Sequence, residues 1–311
     1  MAVNKNGIVV MGAVFVDIKG FPDDVYIPDG RNAGKVEYIH GGVSRNVVED
    51  IANMELRPTF LSIVDESALG DAVVRKLNNH KVNTEYIQSA PNGMGTWLAV
   101  FDNNGDLAGS ISQRPDLMPL LDVLEKKGDE IFANADSIII EVDVDKEIVK
   151  KVVELCEKHQ RKLYGVVSNM SIAVERRDFL QKFDCFICNQ LEAGMFFADD
   201  FSETAPKELA EILAKKLRLA KIPSMVVTMG GAGSVYADMK GKKGFCPAKK
   251  VQVKDTTGAG DAFCAGVSSG LTYGKTLAES VEIGTRLAAS VITSSENVCP
   301  RFLPGELGIE A

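Results

Sequence analysis

The sequence predicts an α/β protein: a mostly parallel central sheet with helices on both faces, plus a small β-sheet standing apart. Three observations lead there. Short apolar runs alternate with helical segments through most of the chain, the pattern of a parallel sheet with crossover helices. Glycine-rich turns meet helix starts at 41–46 and 258–261. Two stretches, 20–40 and 94–112, carry strand–turn–strand patterns without a helix of their own. They are expected as a β-hairpin lid on a core formed by 1–19, 41–93 and 113–311.

The chain has 311 residues, 45% hydrophobic and 25% charged, enough for one large domain and a small accessory. A net charge of −8 argues against nucleic acid or an anionic membrane as partner. No run reaches the roughly 18 apolar residues of a membrane helix. The N-terminus shows no basic stretch followed by an apolar one. Cys185 and Cys188 form C-x-x-C within a strand-like run, where side chains three apart face opposite ways. Buried free thiols fit better than a metal or a disulfide. The expectation is a reduced, cytoplasmic protein with no nucleic-acid and no membrane partner.

In chain order, 8–11 is a buried strand ending at Gly12. Asp17 follows, just past that strand, where α/β sheets place ligand contacts. Strands are expected at 25–27 and 36–39 around the turn Pro28-Asp29-Gly30. Gly41 and Gly42 then open a helix over 47–54. Glycines there permit close approach of a ligand, and Asn46 offers a donor and an acceptor suited to sugar hydroxyls. Capping of a helix start is the plainer reading. Arg45 is open to a phosphate or to neighbouring acids.

A strand at 60–65, a helix at 69–79, a second hairpin at 96–112, a strand at 137–142, a helix at 146–159 and a strand at 162–167 follow. The strand at 183–188 runs into Asn189 and Glu192. Oxygen ligands just beyond a strand suit Mg²⁺, and the same pair suits a capping box. The strand at 224–228 ends in Thr228, Gly230 and Gly233, a turn that lets a nucleotide approach the backbone or simply reverses the chain. The last helix is expected at 276–293.

The focal stretch is Asp255-Thr256-Thr257-Gly258-Ala259-Gly260-Asp261, after a strand-like run at 244–253 and before a helix over 261–272. A flexible glycine loop at a helix N-terminus is an anion site, with phosphate its usual occupant. Asp261 puts a carboxylate beside that anion; the repulsion makes a structural role wasteful there, whereas a base must sit there to touch the attacking hydroxyl, and a plain turn with an N-cap is the bland alternative.

These motifs, in this order, resemble the ribokinase-like (PfkB) carbohydrate and nucleoside kinases over essentially the whole chain. The focal stretch looks like their second signature, Gly41-Gly42 with Asn46 like the first, and Asn189-Gln190-Leu191-Glu192 like their N-x-x-E motif. The resemblance implies that Asp261 is the base, with Gly258, Ala259 and Gly260 forming the anion hole for the γ-phosphate of ATP. It implies sugar contacts from Asp17, Gly41, Gly42 and Asn46, and Mg²⁺ organised by Glu192. It places Asn189, Thr228, Gly230, Gly233 and Asn297 on the nucleotide side, and a K⁺ at Asp255 and Thr257. It also implies a homodimer paired through the lid. Residues 41–47 and 98–107 look like pseudouridine kinases within the family, which act on a 5′-hydroxyl. Ribokinase-, fructokinase- and adenosine-kinase-like activities are the alternatives, and a non-catalytic nucleotide or sugar sensor is the remote one. A dinucleotide-dependent oxidoreductase is set aside, because no G-x-G-x-x-G follows the first strand.

Overall fold

The computed structural model describes residues 6–310; the expected core limits at 1 and 311 lie outside the described residues. In chain order, β1 (Gly7–Met11) is followed by β2 (Phe15–Pro22), β3 (Gly34–Gly41) and α1 (Val43–Asn53). Next come β4 (Thr59–Leu61), β5 (Ile63–Val64), α2 (Ala68–Asn79) and β6 (Gln88–Ser89). The second hairpin is β7 (Gly95–Phe101) with β8 (Leu107–Gln113). Then α3 (Pro119–Ala133), β9 (Ala135–Glu141), α4 (Lys146–His159) and β10 (Lys162–Val166) alternate. Two single turns, α5 (Met170–Ala173) and α6 (Arg177–Leu180), lead to β11 (Cys185–Asn189), α7 (Gln190–Phe197) and α8 (Pro206–Ala220). The chain closes with β12 (Ser224–Thr228), β13 (Ser234–Asp238), β14 (Lys243–Cys246), α9 (Ala259–Thr272) and α10 (Leu277–Val291).

The central sheet has eight strands in the order β14-β13-β12-β11-β10-β9-β1-β4. It is parallel from β12 to β4, and antiparallel only at the β12–β13–β14 edge. Helix pairs flank it. On one side α3, α4 and α8 bury Leu124, Val152 and Leu213 against Ile138 and Ile140 of β9 and Met225 of β12. On the other, α1, α9 and α10 bury Ile51, Val267 and Leu287 against Ile8 and Val10 of β1 and Ile139 of β9. Alternate residues of one strand thus serve opposite layers. Each such aliphatic side chain contributes roughly 1.5–3 kcal/mol by burial.

The lid is a second sheet, β3-β2-β7-β8, with β2 and β7 parallel and the outer pairs antiparallel. The strand expected at 25–27 does not form. The partner of β3 is Phe15–Pro22, so the first hairpin begins at Phe15 and 23–33 is its loop. Val25 and Ile27 lie exposed in that loop with no strand to pair with. Helix α1 starts at Val43, four residues before the expected 47, which moves Asn46 from a loop into the first helical turn. The expected run at 244–253 is a strand only as far as Cys246. Helix α4 matches the expected 146–159, and Cys185 and Cys188 are buried free thiols.

Candidate active site

A cleft of about 480 Å³ lies between the lid and the carboxyl ends of the core strands. Lid residues Phe15, Asp17, Trp97 and Ser112 form one wall, Glu141 and Asp143 another, and Asn46, Thr257, Asp261 and Asn297 the floor. Strand register explains the lid wall. Asp17 pairs with Trp97, and Trp97 with Ser112, so the three side chains form one row on one face.

Asp261 sits in the first turn of α9, whose N-cap is Gly258 with φ of 79° and no side-chain cap. A Cβ on Gly258 would lie 1.9 Å from the Asn297 carbonyl, so both sterics and backbone require glycine there. A Cβ on Gly260 would meet nothing within 4 Å, which leaves open space before the uncapped helix end. The Ala259 N–H is already spent on the Thr256 carbonyl at 3.2 Å, so the expected three-residue anion hole reduces to the first-turn N–H groups after it. These observations fit an anionic phosphate at the α9 N-terminus.

Asn46 Nδ2 donates to Asp261 Oδ2 at 2.6 Å. Asn297 Nδ2 donates in turn to Asn46 Oδ1 at 3.3 Å and to the His40 carbonyl at 3.0 Å. Asn297, expected on the nucleotide side, thus contacts Asn46, which in turn contacts Asp261. Burial pushes the Asp261 carboxyl up to about 7, against the pull of the Asn46 hydrogen bond and the Arg45 charge; Glu192 raises it further. Burial also raises Asp17, with Lys19 and Arg45 opposing.

Arg45 is fully buried. It pairs with Glu49 at 2.6 Å and donates to the His40 and Gly41 carbonyls. Its partner acid is itself buried, and its donors brace the glycine turn from behind. Gly42 caps α1 with φ of 98°, and a Cβ there would stand 2.6 Å from the Ala13 carbonyl. A Cβ on Gly41 would lie 3.0 Å from both Asp17 oxygens, so that backbone runs directly beside the Asp17 carboxyl.

Glu141 is a site residue that the sequence reading passed over. Its Oε1 accepts from Ser44 N at 2.9 Å and its Oε2 from Ala13 N at 3.0 Å. It thereby closes the α1 N-terminus, where no side chain of α1 does so. Burial and neighbouring Asp143 hold its carboxyl well up despite those two donors. Asp143 accepts from Ser168 N at 2.9 Å and Ser168 Oγ at 2.8 Å. Glu141 is the last residue of β9 and Asp143 lies just past it, the same signal that singled out Asp17.

The remaining expected residues lie outside this cleft. Asn189 and Glu192 form a reciprocal capping box on α7, with Asn189 N donating to Glu192 Oε2 at 2.7 Å. Burial raises the Glu192 carboxyl. Thr228, Gly230 and Gly233 turn β12 into β13; Gly230 faces open space, whereas Gly233 abuts the Cys246 to Ala248 backbone. Asp255 Oδ1 accepts from Thr257 N at 2.8 Å, a local turn that holds its carboxyl below the ordinary range. Among the described residues no cluster of three or more His, Cys, Asp or Glu forms a ready metal cage. Among the same residues no helix is long and apolar enough to cross a membrane.

A half-buried acid with a raised carboxyl at an uncapped helix N-terminus, in a cleft beside a small separate sheet, fits a phosphotransferase acting on an alcohol. Residues 5–299 match the pfkB family carbohydrate kinases, and the chain belongs to that family of sugar and nucleoside kinases. The guanosine-inosine kinase of Exiguobacterium acetylicum is 35% identical over 294 residues, covering 94% of this chain and 96% of the relative. The pseudouridine kinase of Escherichia coli K12 is more distant, 24% identical over 280 residues, covering 89% and 87%. Arabidopsis thaliana ribokinase, solved with ribose and ATP, superposes with a TM-score of 0.84 at 19% identity over 97% of this chain and 98% of the other. That likeness shows the ribokinase-like fold.

Proposed function

We propose that the protein phosphorylates the 5′-hydroxyl of a purine nucleoside, guanosine or inosine, from ATP. The chemistry rests on one observation: Asp261, raised to about 7 and held by Asn46 at 2.6 Å, sits in the uncapped first turn of α9. The substrate follows the guanosine-inosine kinase, which is similar along 94% of this chain.

Bound with Mg²⁺, ATP supplies the phosphoryl group and part of the charge neutralisation. Asp261 takes the proton of the attacking hydroxyl, while the N–H groups after Ala259 hold the anion. Asn46 keeps the Asp261 carboxylate aimed, and Asp17, Gly41, Gly42 and Glu141 surround the sugar. Glu192 and Asn189 serve the Mg²⁺ side; Thr228, Gly230 and Gly233 serve the nucleotide. Asp255 and Thr257 are the K⁺ candidates. The lid excludes water, which protects ATP from hydrolysis.

The lid also supplies the homodimer surface. Tyr38, Ile18, Leu98 and Ile111 stand in register across its outer face, with Tyr38 60%, Leu98 40% and Ile111 70% exposed. A second copy is the natural cover for such a row. Six free cysteines suit a reducing, cytoplasmic setting.

The test is a substrate panel with ATP and Mg²⁺, with and without K⁺: guanosine, inosine, adenosine, pseudouridine, ribose and fructose 6-phosphate. Guanosine and inosine are expected to give the highest kcat/KM. Pseudouridine as the best substrate would instead favour the reading from residues 41–47 and 98–107. Turnover of free sugars alone would overturn the nucleoside assignment.

A further inference from the structure

Several residues lining the cleft have no part in the sugar contacts above: Trp97, Arg114, Asp143, Asp145, Ser168 and Asn169. Moving from Asp17 through Trp97 to Ser112 crosses two strand spacings, roughly 10 Å. That is about the reach from a ribose to the far edge of its base. Arg114 follows two residues after Ser112 and lines the same cleft.

Arg114 is held in place. One Nη2 donor reaches the Asp143 carbonyl at 2.9 Å, and Nη2 lies 3.8 Å from Asp143 Oδ2. Asp143 is buried and anchored in turn by Ser168. The Nε and Nη1 donors have no hydrogen-bond partner among the described residues. Asp145 is equally unspent. It occupies the N-cap position of α4, where an aspartate ordinarily accepts from the first turn, yet its side chain makes no cap bond. The cleft lining therefore holds an anchored guanidinium with donors to spare, a carboxylate free of cap bonds and an aromatic ring.

A 6-oxopurine matches that arrangement. Guanine and hypoxanthine present acceptors at O6 and N7, the usual target of a bidentate arginine, and a donor at N1–H. Adenine reverses both: its 6-amino group is a donor and its N1 an acceptor. Adenine would place donor against donor at Arg114, and lone pair against carboxylate at Asp145, a rejection as well as a selection.

Resting on the nucleoside-kinase reading above, we propose that Arg114 and Asp145 select 6-oxopurine nucleosides. Arg114 donates to O6 and N7, Asp145 accepts from N1–H, and Trp97 supplies the stacking face. These are specificity residues, remote from the transferred phosphoryl.

The experiment measures kcat and KM for guanosine, inosine and adenosine in the full-length wild type and in R114M, R114K and D145N. R114M should lower kcat/KM for guanosine and inosine about ten- to a hundredfold, mainly through KM, so that the guanosine-to-adenosine ratio collapses. R114K keeps the charge without the fork and should lose part of that ratio; it also guards against misfolding of R114M. D145N should move the ratio the same way. Equal losses for all three nucleosides, or an unmoved ratio in folded R114K and D145N, would overturn this inference while leaving the nucleoside kinase intact. Wild-type turnover of ribose but of no nucleoside would overturn both.

Discussion

Asn46 and Asp261 meet at 2.6 Å across 215 residues of chain. One lies in the first turn of α1 and the other in the first turn of α9, so two helix N-termini converge on a single point. Each helix start carries partial positive charge, and the acid between them is shared by a neutral amide. That convergence fixes the Asp261 carboxylate in space, as the proposed role of base requires.

Asp261→Asn keeps the shape and the Asn46 contact on one side but removes the proton acceptor. Steady-state turnover should fall by at least ~10²-fold, with the melting temperature close to that of the wild type. Near-normal kcat in this variant would reject the base assignment.

The raised Asp261 carboxyl sets the acid limb of the rate profile. Below about 7 the group is mostly protonated in the free enzyme and accepts no proton. The log of kcat/KM should therefore climb with pH toward a plateau above that value, with unit slope on the acid side. A flat profile from pH 5 to 8 would place the base elsewhere.

Asp50 offers a stability test away from the cleft. It is fully buried, its Oδ1 accepts from Cys299 N at 2.6 Å, and its Oδ2 has no partner. Burial holds its carboxyl well above the ordinary range, which favours the neutral acid in the fold. The unfolded chain ionises it above about pH 4, which means that unfolding releases a proton and stability falls as pH rises, by about 1.4 kcal/mol per unit. Asp50→Asn removes this loss. Its denaturation midpoint should gain on the wild type as pH rises above the ordinary carboxylate range; a constant difference would show that Asp50 is ionised in the fold.

The outer face of the lid gives a prediction about assembly. Leu98→Asp places a charge in the middle of the Tyr38–Ile18–Leu98–Ile111 row. Light scattering should report a dimer for the wild type and a monomer for this variant. A wild type that is monomeric at micromolar concentration would remove the proposed interface.

Much of this architecture could be read from local pattern. Helix α4 shows its buried stripe, Ile148, Val149, Val152, Val153 and Cys156, at helical spacing, and its limits matched. The Asn189–Glu192 capping box is likewise written in four consecutive residues. Errors arose where pairing decides. Residues 25–27 carry strand-forming side chains but face no neighbouring strand, whereas Phe15–Pro22 finds two, β3 and β7. Arg45 looked like a ligand or surface residue because its partner Glu49 and the His40 carbonyl come together only when α1 starts early.

The sequence by itself determined the layered α/β class, the glycine loop at the α9 N-terminus and the identity of the acid beside it, because hydrogen bonds and periodicities within a few residues write those features into the chain. Tertiary structure alone decided what Asp261 touches, why Glu141 belongs to the site, and how Trp97 and Arg114 come to line one cleft. Glu141 bridges Ala13 and Ser44 over separations of 128 and 97 residues. Such contacts follow from how β1, β9 and the lid are stacked in space, and no window of neighbouring residues carries that geometry.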